Sequence, residues 1–227
     1  MAKLKTHVMG NLKGKIGNVT ARTVDGGTAF SARPLNYHVS QSEASINARS
    51  RFKVTSELAA SILSLPDMGR IWSKLKPSGK SARSLLIKEN YHFSGIDKPT
   101  ARNIIGPEGF ALPFQSVVLN SGSLDLELNA LNTSADFSPE EVDLGISCLI
   151  SFFNPVLEDE ENFKIISLTK TEAGFDFTSA YTGALPLNFT HQSIAAKYQN
   201  YIIFLAATSK NSVGDIIQCS STYSSET

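Results

Sequence analysis

From Gly106 onward the chain alternates short apolar segments with turn residues, and this spacing narrows the fold more than any other feature of the sequence. The segments are Ser116 to Leu119, Leu124 to Leu128, Asp143 to Phe153, Phe163 to Leu168, Phe175 to Thr178, Leu185 to Phe189, Tyr201 to Ala207 and Val213 to Cys219. Leu124-Asp125-Leu126-Glu127-Leu128 alternates strictly, so one face of that strand meets solvent. The run from Asp143 is longer and more apolar. Segments recurring every ~10–15 residues predict an antiparallel β-sandwich of about 110 residues. The last two read as a hairpin turned by Ser209-Lys210-Asn211-Ser212, and the polar tail from Ser220 to Thr227 reads as a frayed end.

The first half has a different pattern. Ile16 to Arg22 and Thr28 to Arg33 read as strands around the turn signal Asp25-Gly26-Gly27, and Pro34 stops the second. A lone hairpin is marginal in water, so this one needs another surface, in its own chain or in another subunit. Ser40 or Ser42 caps a helix with Glu43 as its early acid. Ile46, Arg49, Phe52, Lys53, Leu58, Ala59, Ile62 and Leu63 then fall roughly at helical spacing until Pro66. Ile71, Trp72 and Leu75 mark a shorter amphipathic stretch that Pro77-Ser78-Gly79 breaks, and Ser81 to Phe93 reads as another helix. The predicted class is α+β: an N-terminal arm and β-hairpin, two or three helices, then the sandwich. The division falls between residues 1–105 and 106–227.

Charge divides at the same place. Residues 1–105 hold 17 Lys+Arg against 6 Asp+Glu, and residues 106–227 hold 4 against 15, so +11 faces −11 and the total is zero. Such asymmetry speaks of partners rather than of fold. The basic half suits phosphates or an acidic protein surface. The acidic half repels nucleic acid and can meet the basic half of a neighbouring copy. The first ten residues lack the apolar core of a secretory signal, and no stretch approaches the ~20 apolar residues of a membrane span. Cys148 and Cys219 lie in strand-like segments and read as unpaired buried thiols, with a disulfide as the alternative.

No catalytic signature stands out. Gly14-Lys15 lacks the Ser/Thr and the following helix of a phosphate loop, so Gly10, Gly14 and Gly17 read as glycines permitting tight turns or close packing. His7, His38, His92 and His191 share no metal-binding spacing, and a dyad of His191 with a serine rests only on the abundance of serine. Glu158-Asp159-Glu160-Glu161 lacks the glycine and alternating ligands of a calcium loop and reads as a solvated turn, able to meet a basic arm. No cofactor, metal or enzymatic activity is expected.

The candidate functional residues are therefore those of the basic, glycine-spaced front: Lys13, Gly14, Lys15, Gly17, Arg22, Arg33, Arg49 and Arg51. A distributed positive surface of this kind binds phosphate or acidic protein. Protein contact comes first, because the chain carries its own complementary acid, and non-specific nucleic-acid binding second. A third reading is a carbohydrate- or host-binding module using Tyr181, Tyr198 or Tyr201.

Gly10-x3-Gly14-Lys15-x-Gly17-Asn18-Val19, Arg22, Arg33-Pro34, Ser40-Gln41 and Ala48-Arg49-x-x-Phe52 carry a further signal. Over roughly the first 55 residues this pattern resembles a family of uncharacterised Bacteroidota and phage-associated proteins. The chain departs from it at Val24-Asp25-Gly26-Gly27, where a tryptophan-bearing turn is expected. The resemblance implies helices followed by an immunoglobulin-like sandwich, no established enzymatic activity, and a virion or phage-like particle as the setting. The expected role is structural: attachment to capsid, tail or comparable subunits in several copies, assembled in the bacterial cytoplasm, without a membrane.

Overall fold

A Gly-Asn pair shapes the front of the chain. In the computed structural model, which describes residues 13–24, 27–32 and 39–227, Gly17-Asn18 turns β1 (Gly14–Ile16) back onto β2 (Val19–Val24), with Ile16 opposite Val19. Gly17 has φ +59° at the first central position, the requirement of a two-residue hairpin turn. The sequence reading carried one strand through Ile16 to Arg22. The chain instead folds back, because Gly-Asn is itself a turn signal. β3 (Gly27–Ala32) pairs with β2, so the expected hairpin is a three-stranded antiparallel sheet ordered β1-β2-β3. Asp25 and Gly26 of the expected turn lie outside the described residues.

The helices form where capping and proline chemistry place them. Ser42, the second of the two candidate caps, accepts a hydrogen bond from the Ser45 N–H and opens α1 (Glu43–Ser64). Pro66 then occupies the first turn of α2 (Pro66–Leu75), where its missing N–H costs nothing. Ser81 caps α3 (Ala82–Asn90) in the same way as Ser42. The link from α3 to the strands is held by amides. Asn90 Oδ1 accepts from Asn103 Nδ2 and from the Ile104 N–H, at 3.0 and 2.8 Å.

Eight strands follow: β4 (Phe114–Leu119), β5 (Ser123–Leu128), β6 (Asp143–Pro155), β7 (Phe163–Glu172), β8 (Tyr181–Pro186), β9 (Tyr198–Lys210), β10 (Ile216–Cys219) and β11 (Tyr223–Glu226). β4, β5 and β8 make one antiparallel sheet; β7, β6, β9 and the β10/β11 edge make the other. Three expectations change here. Phe175 to Thr178 is not a strand, because the Asp176 carboxylate accepts from the Thr178 N–H and from the Thr178 and Ser179 hydroxyls, which closes a turn. Leu185 to Phe189 divides: β8 ends at Pro186, and Asn188 caps α4 (Phe189–Ala195) by accepting from the His191 N–H. The tail does not fray. β11 pairs with residues 202–205 of β9, and β10 with residues 208–210 of the same edge. Tyr223 stacks on Phe114 with centroids 3.8 Å apart, and Glu226 forms a salt bridge with Lys98.

The molecule has three layers. On one face of β6, residues Leu144, Ile146, Cys148, Ile150 and Phe152 join Leu124, Leu126 and Leu128 of β5 in a cluster between the two sheets. On the other face, Leu149 and Phe153 meet Leu58 and Ile62 of α1, Met68 and Trp72 of α2 and Leu86 of α3. The change from helix to strand near Gly106 falls inside this second cluster, which is built from residues on both sides of it. Both cysteines are free: Cys148 is buried between the sheets and Cys219 is half-buried at the edge. Burial pushes the thiol pKa up in both.

One ion pair ties the helix layer to the sheet. Asp67, in the first turn of α2, meets Lys210 at the end of β9 at 2.7 Å, both side chains buried, and the Thr208 hydroxyl also donates to Asp67 at 3.1 Å. Gly145 makes room for them: a Cβ there lies 2.6 Å from Asp67 Oδ2. Removing one partner of a buried pair strands the other charge, whereas replacing both with apolar groups is often neutral. Asp67→Ala is therefore expected to lower unfolding free energy by about 3 kcal/mol, and Asp67→Ala with Lys210→Met to recover most of the loss. Urea denaturation of the two variants checks this.

Candidate functional site

Antiparallel partners share a face, so strand register sorts the side chains of the N-terminal sheet. Lys15 lies opposite Thr20, Thr20 opposite Ser31, and Arg22 opposite Ala29, which makes one face polar and basic. The other face holds Val19, Ala21, Phe30 and Ala32, and Phe30 is 57% exposed. Lys13 is exposed immediately before β1. Gly14 and Gly17 have φ +127° and +59° with open space where a Cβ would stand, so backbone conformation rather than close packing requires glycine at both. Arg33 lies outside the described residues. Among the described residues, none of this sheet belongs to either hydrophobic cluster.

The two arginines of α1 diverge. Arg49 is exposed, and its guanidinium donates to the Ser40 carbonyl at 2.9 Å. Arg51 turns inward, 5.7 Å above the centre of the Tyr91 ring. The structure thus gathers Lys15 and Arg22 on one sheet face, leaves Arg49 on the helix, and uses Arg51 within the chain.

Sequence reasoning missed how α1 is used. Helical spacing grouped Ile46 and Phe52 with Leu58 and Ile62. From Glu43 to Lys53, however, no residue is buried, and Ile46 and Phe52 are 43% and 52% exposed. Burial begins only at Val54. Local spacing carries no signal for this, because the surface α1 packs on is assembled from distant segments.

The acidic loop between β6 and β7 is partly neutralised within the chain. Glu160 meets Lys197 at 2.6 Å and Glu161 meets Lys164 at 2.8 Å. The hydrogen bond from Lys164, then its charge, hold the Glu161 carboxyl below its usual range, and Lys53 of α1 adds to this. Of the three tyrosines, Tyr181 is buried with its hydroxyl directed at Glu172, and Tyr198 and Tyr201 are half-buried against Phe152. His191 meets the Asn188 side chain at 3.4 Å. Among the described residues, no three His, Cys, Asp or Glu side chains are grouped to hold a metal, and no helix is long and apolar enough to cross a membrane.

A second polar constellation sits where β9 ends. Glu141 is buried beside a cleft of about 400 Å³ that Phe137, Phe175, Phe177 and Asp176 also line. Its carboxylate accepts from the Ser209 hydroxyl, from the Ser138 N–H at 2.7 Å and from Gln218 Nε2 at 3.2 Å. Burial raises its pKa, but the hydrogen bonds led by Ser209 together outweigh it, and the net shift is downward. The group is thus an ionised clamp joining the 138–141 turn to β9 and β10.

No protein-family model, no curated protein and no solved structure matches this chain.

A carboxyl whose pKa is lowered by folding stabilises the native state above its unfolded value, and that contribution drains away as pH falls through the lower folded value. Glu141→Gln is expected to cost about 1.5–3 kcal/mol at neutral pH, typical of hydrogen bonds to a charged group. The deficit should narrow below the ordinary carboxyl value of 4.5. Unfolding curves across pH check this.

Proposed function

We propose that this chain is a non-enzymatic structural protein of a phage virion or phage-like particle, assembled in the bacterial cytoplasm, that attaches to neighbouring capsid- or tail-type subunits through its basic, glycine-rich front. One observation supports this above the others: among the described residues, the β1–β2–β3 sheet contributes nothing to either core cluster, yet presents a basic face and an apolar face. On that apolar face Ala21 is buried but Phe30 and Ala32 are exposed, and a small sheet so placed gains stability by packing on, or adding strands to, a neighbour. Opposite charge steers such contacts and sets their register more than it adds affinity.

The same reading extends to the fold, as an immunoglobulin-like sandwich. The first, second and fifth strands of the sandwich, β4, β5 and β8, form one sheet, and the third, sixth and last, β6, β9 and β10/β11, belong to the other. The immunoglobulin constant arrangement divides them similarly, with its fourth strand on the first sheet. Here the fourth strand, β7, sits beside the third instead.

The exposed row of Lys13, Lys15 and Arg22 also suits phosphate, which keeps non-specific nucleic-acid binding as the second reading. The carbohydrate or host-binding reading is weaker, since none of Tyr181, Tyr198 and Tyr201 stands free on the surface.

Deletion of residues 1–34 is expected to leave the strand signal in circular dichroism intact and to abolish recovery of the protein in sedimentable particles. Retained incorporation overturns the assembly reading. Duplex-DNA affinity that falls steeply with added salt favours the second reading, and absent or salt-independent binding dismisses it.

A further inference from the structure

The first eleven residues of α1 are the least covered part of the helix layer, with Arg51 alone turned inward onto Tyr91. From Glu43 to Lys53 this is roughly 16 Å of helix at 1.5 Å per residue. No residue along it is buried as a whole, and short helices with little tertiary packing are marginal in water. The overhang exposes two apolar residues, Ile46 and Phe52, and between and beside them two cations, Arg49 and Lys53.

The tip of the β6–β7 loop has the opposite character. Val156 and Leu157 are 57% and 60% exposed, and the exposed acids Glu158 and Asp159 follow. Glu160 and Glu161 are occupied by Lys197 and Lys164, but Glu158 and Asp159 form no salt bridge among the described residues. Two apolar residues with two acids outside any salt bridge, Asp159 acting on Lys197 only at longer range, therefore stand opposite in kind to two apolar residues with two cations.

The two patches are neighbours on one molecule. A cleft of about 270 Å³ lies between the helix and the base of the loop, with Ser50, Lys53 and Glu57 on the helix side and Glu160 and Glu161 on the loop side. Ile46, Phe52, Val156 and Leu157 stay exposed on either side of it. Patches of opposite sign on one molecule suit a two-fold axis, because each copy then presents the same self-complementary surface. The chain has zero net charge, so two copies approach without overall repulsion.

We propose that the chain pairs with a second copy of itself about a two-fold axis, the α1 overhang of each copy receiving the β6–β7 loop tip of the other. This rests on the assembly reading and names its first partner. Each overhang is covered by Val156 and Leu157 of the other copy, while Arg49 and Lys53 face Glu158 and Asp159. Such a contact is salt-sensitive, because its charges sit at the rim of a small apolar patch.

The test is sedimentation equilibrium of the full chain. The wild type is expected to sediment as a dimer at about 50 mM salt and to dissociate toward single chains at about 0.5 M, where screening shortens to a few ångströms. Arg49→Glu with Lys53→Glu, and Glu158→Lys with Asp159→Lys, are each expected to be monomeric with unchanged circular dichroism. Each variant carries one sign on both patches and repels itself. Mixed one to one, they are expected to form a heterodimer, because each acidic overhang meets a basic tip and each acidic tip a basic overhang. A monomeric wild type at low salt assigns the overhang to another occupant and overturns the proposal. So does a dimer that both reversals leave intact, or a mixture that fails to pair. If the wild type is monomeric while loss of residues 1–34 still abolishes incorporation, the dimer falls and the assembly reading stands. If the charge swap works while that deletion leaves incorporation intact, the dimer stands without it.

Discussion

Thirteen residues of β6 lie against thirteen of β9, and nearly every side chain in the middle of the two strands is out of water. Antiparallel sheets usually keep one face wet. Here the β4-β5-β8 sheet covers one face and the three N-terminal helices the other, so both layers exist as covers for the same strand pair. The helix-facing side of β6 carries Gly145, Ser147 and Ser151 beside Leu149 and Phe153, and these small residues let the helices approach closely. The hydroxyls of Ser147 and Ser151 are buried without a hydrogen-bond partner, a cost set against that packing. The Asp67–Lys210 pair belongs to the same arrangement. It crosses from α2 to β9 over the space that Gly145 leaves open and fixes where the helix layer sits on the sheet.

Beyond the edge of this doubly covered pair, the chain has surfaces that its own described residues leave open. The N-terminal sheet and the first three turns of α1 are the two that matter for function. Both combine apolar side chains with cations, and neither joins a core cluster. Apolar area left in water is a source of binding free energy, and the neighbouring charges decide which surfaces can receive it. The sign asymmetry between the halves acts at this level. Within one molecule it is partly spent, since Glu160 and Glu161 pair with Lys197 and Lys164, while the acids nearer the loop tip and the exposed cations Arg49 and Lys53 of α1 form no salt bridge among the described residues.

Much of the architecture was legible along the chain because it is set by local chemistry. Ser42, Pro66, Ser81 and the Pro77-Ser78-Gly79 break bound the helices as their capping and proline rules require. The alternation of Leu124 to Leu128 placed β5 with one buried face. Errors arose where a short side chain decided between strand and turn. Gly17-Asn18, Asp176 and Asn188 each redirect the backbone within a stretch whose apolar content resembles a strand. The tail was misread for a different reason. Nothing in Ser220 to Thr227 is strongly apolar, and its order comes from the open edge of β9, Phe114 and Lys98, all far away in sequence. Of the candidate residues, Lys15 and Arg22 share a face because the register follows from the turn, but the opposite fates of Arg49 and Arg51 depend on Tyr91 of another segment.

Sequence alone determined the order of arm, helices and strands, the types of most elements, and the segregation of charge, since propensity, capping and composition are properties of neighbouring residues. Only the tertiary structure decided that the helices cover the larger sheet, that Asp67 and Lys210 meet, and that the first half of α1 leaves Ile46 and Phe52 uncovered. Those outcomes depend on where strands distant in sequence come together and where the sheet they form ends, and no window of adjacent residues contains that information.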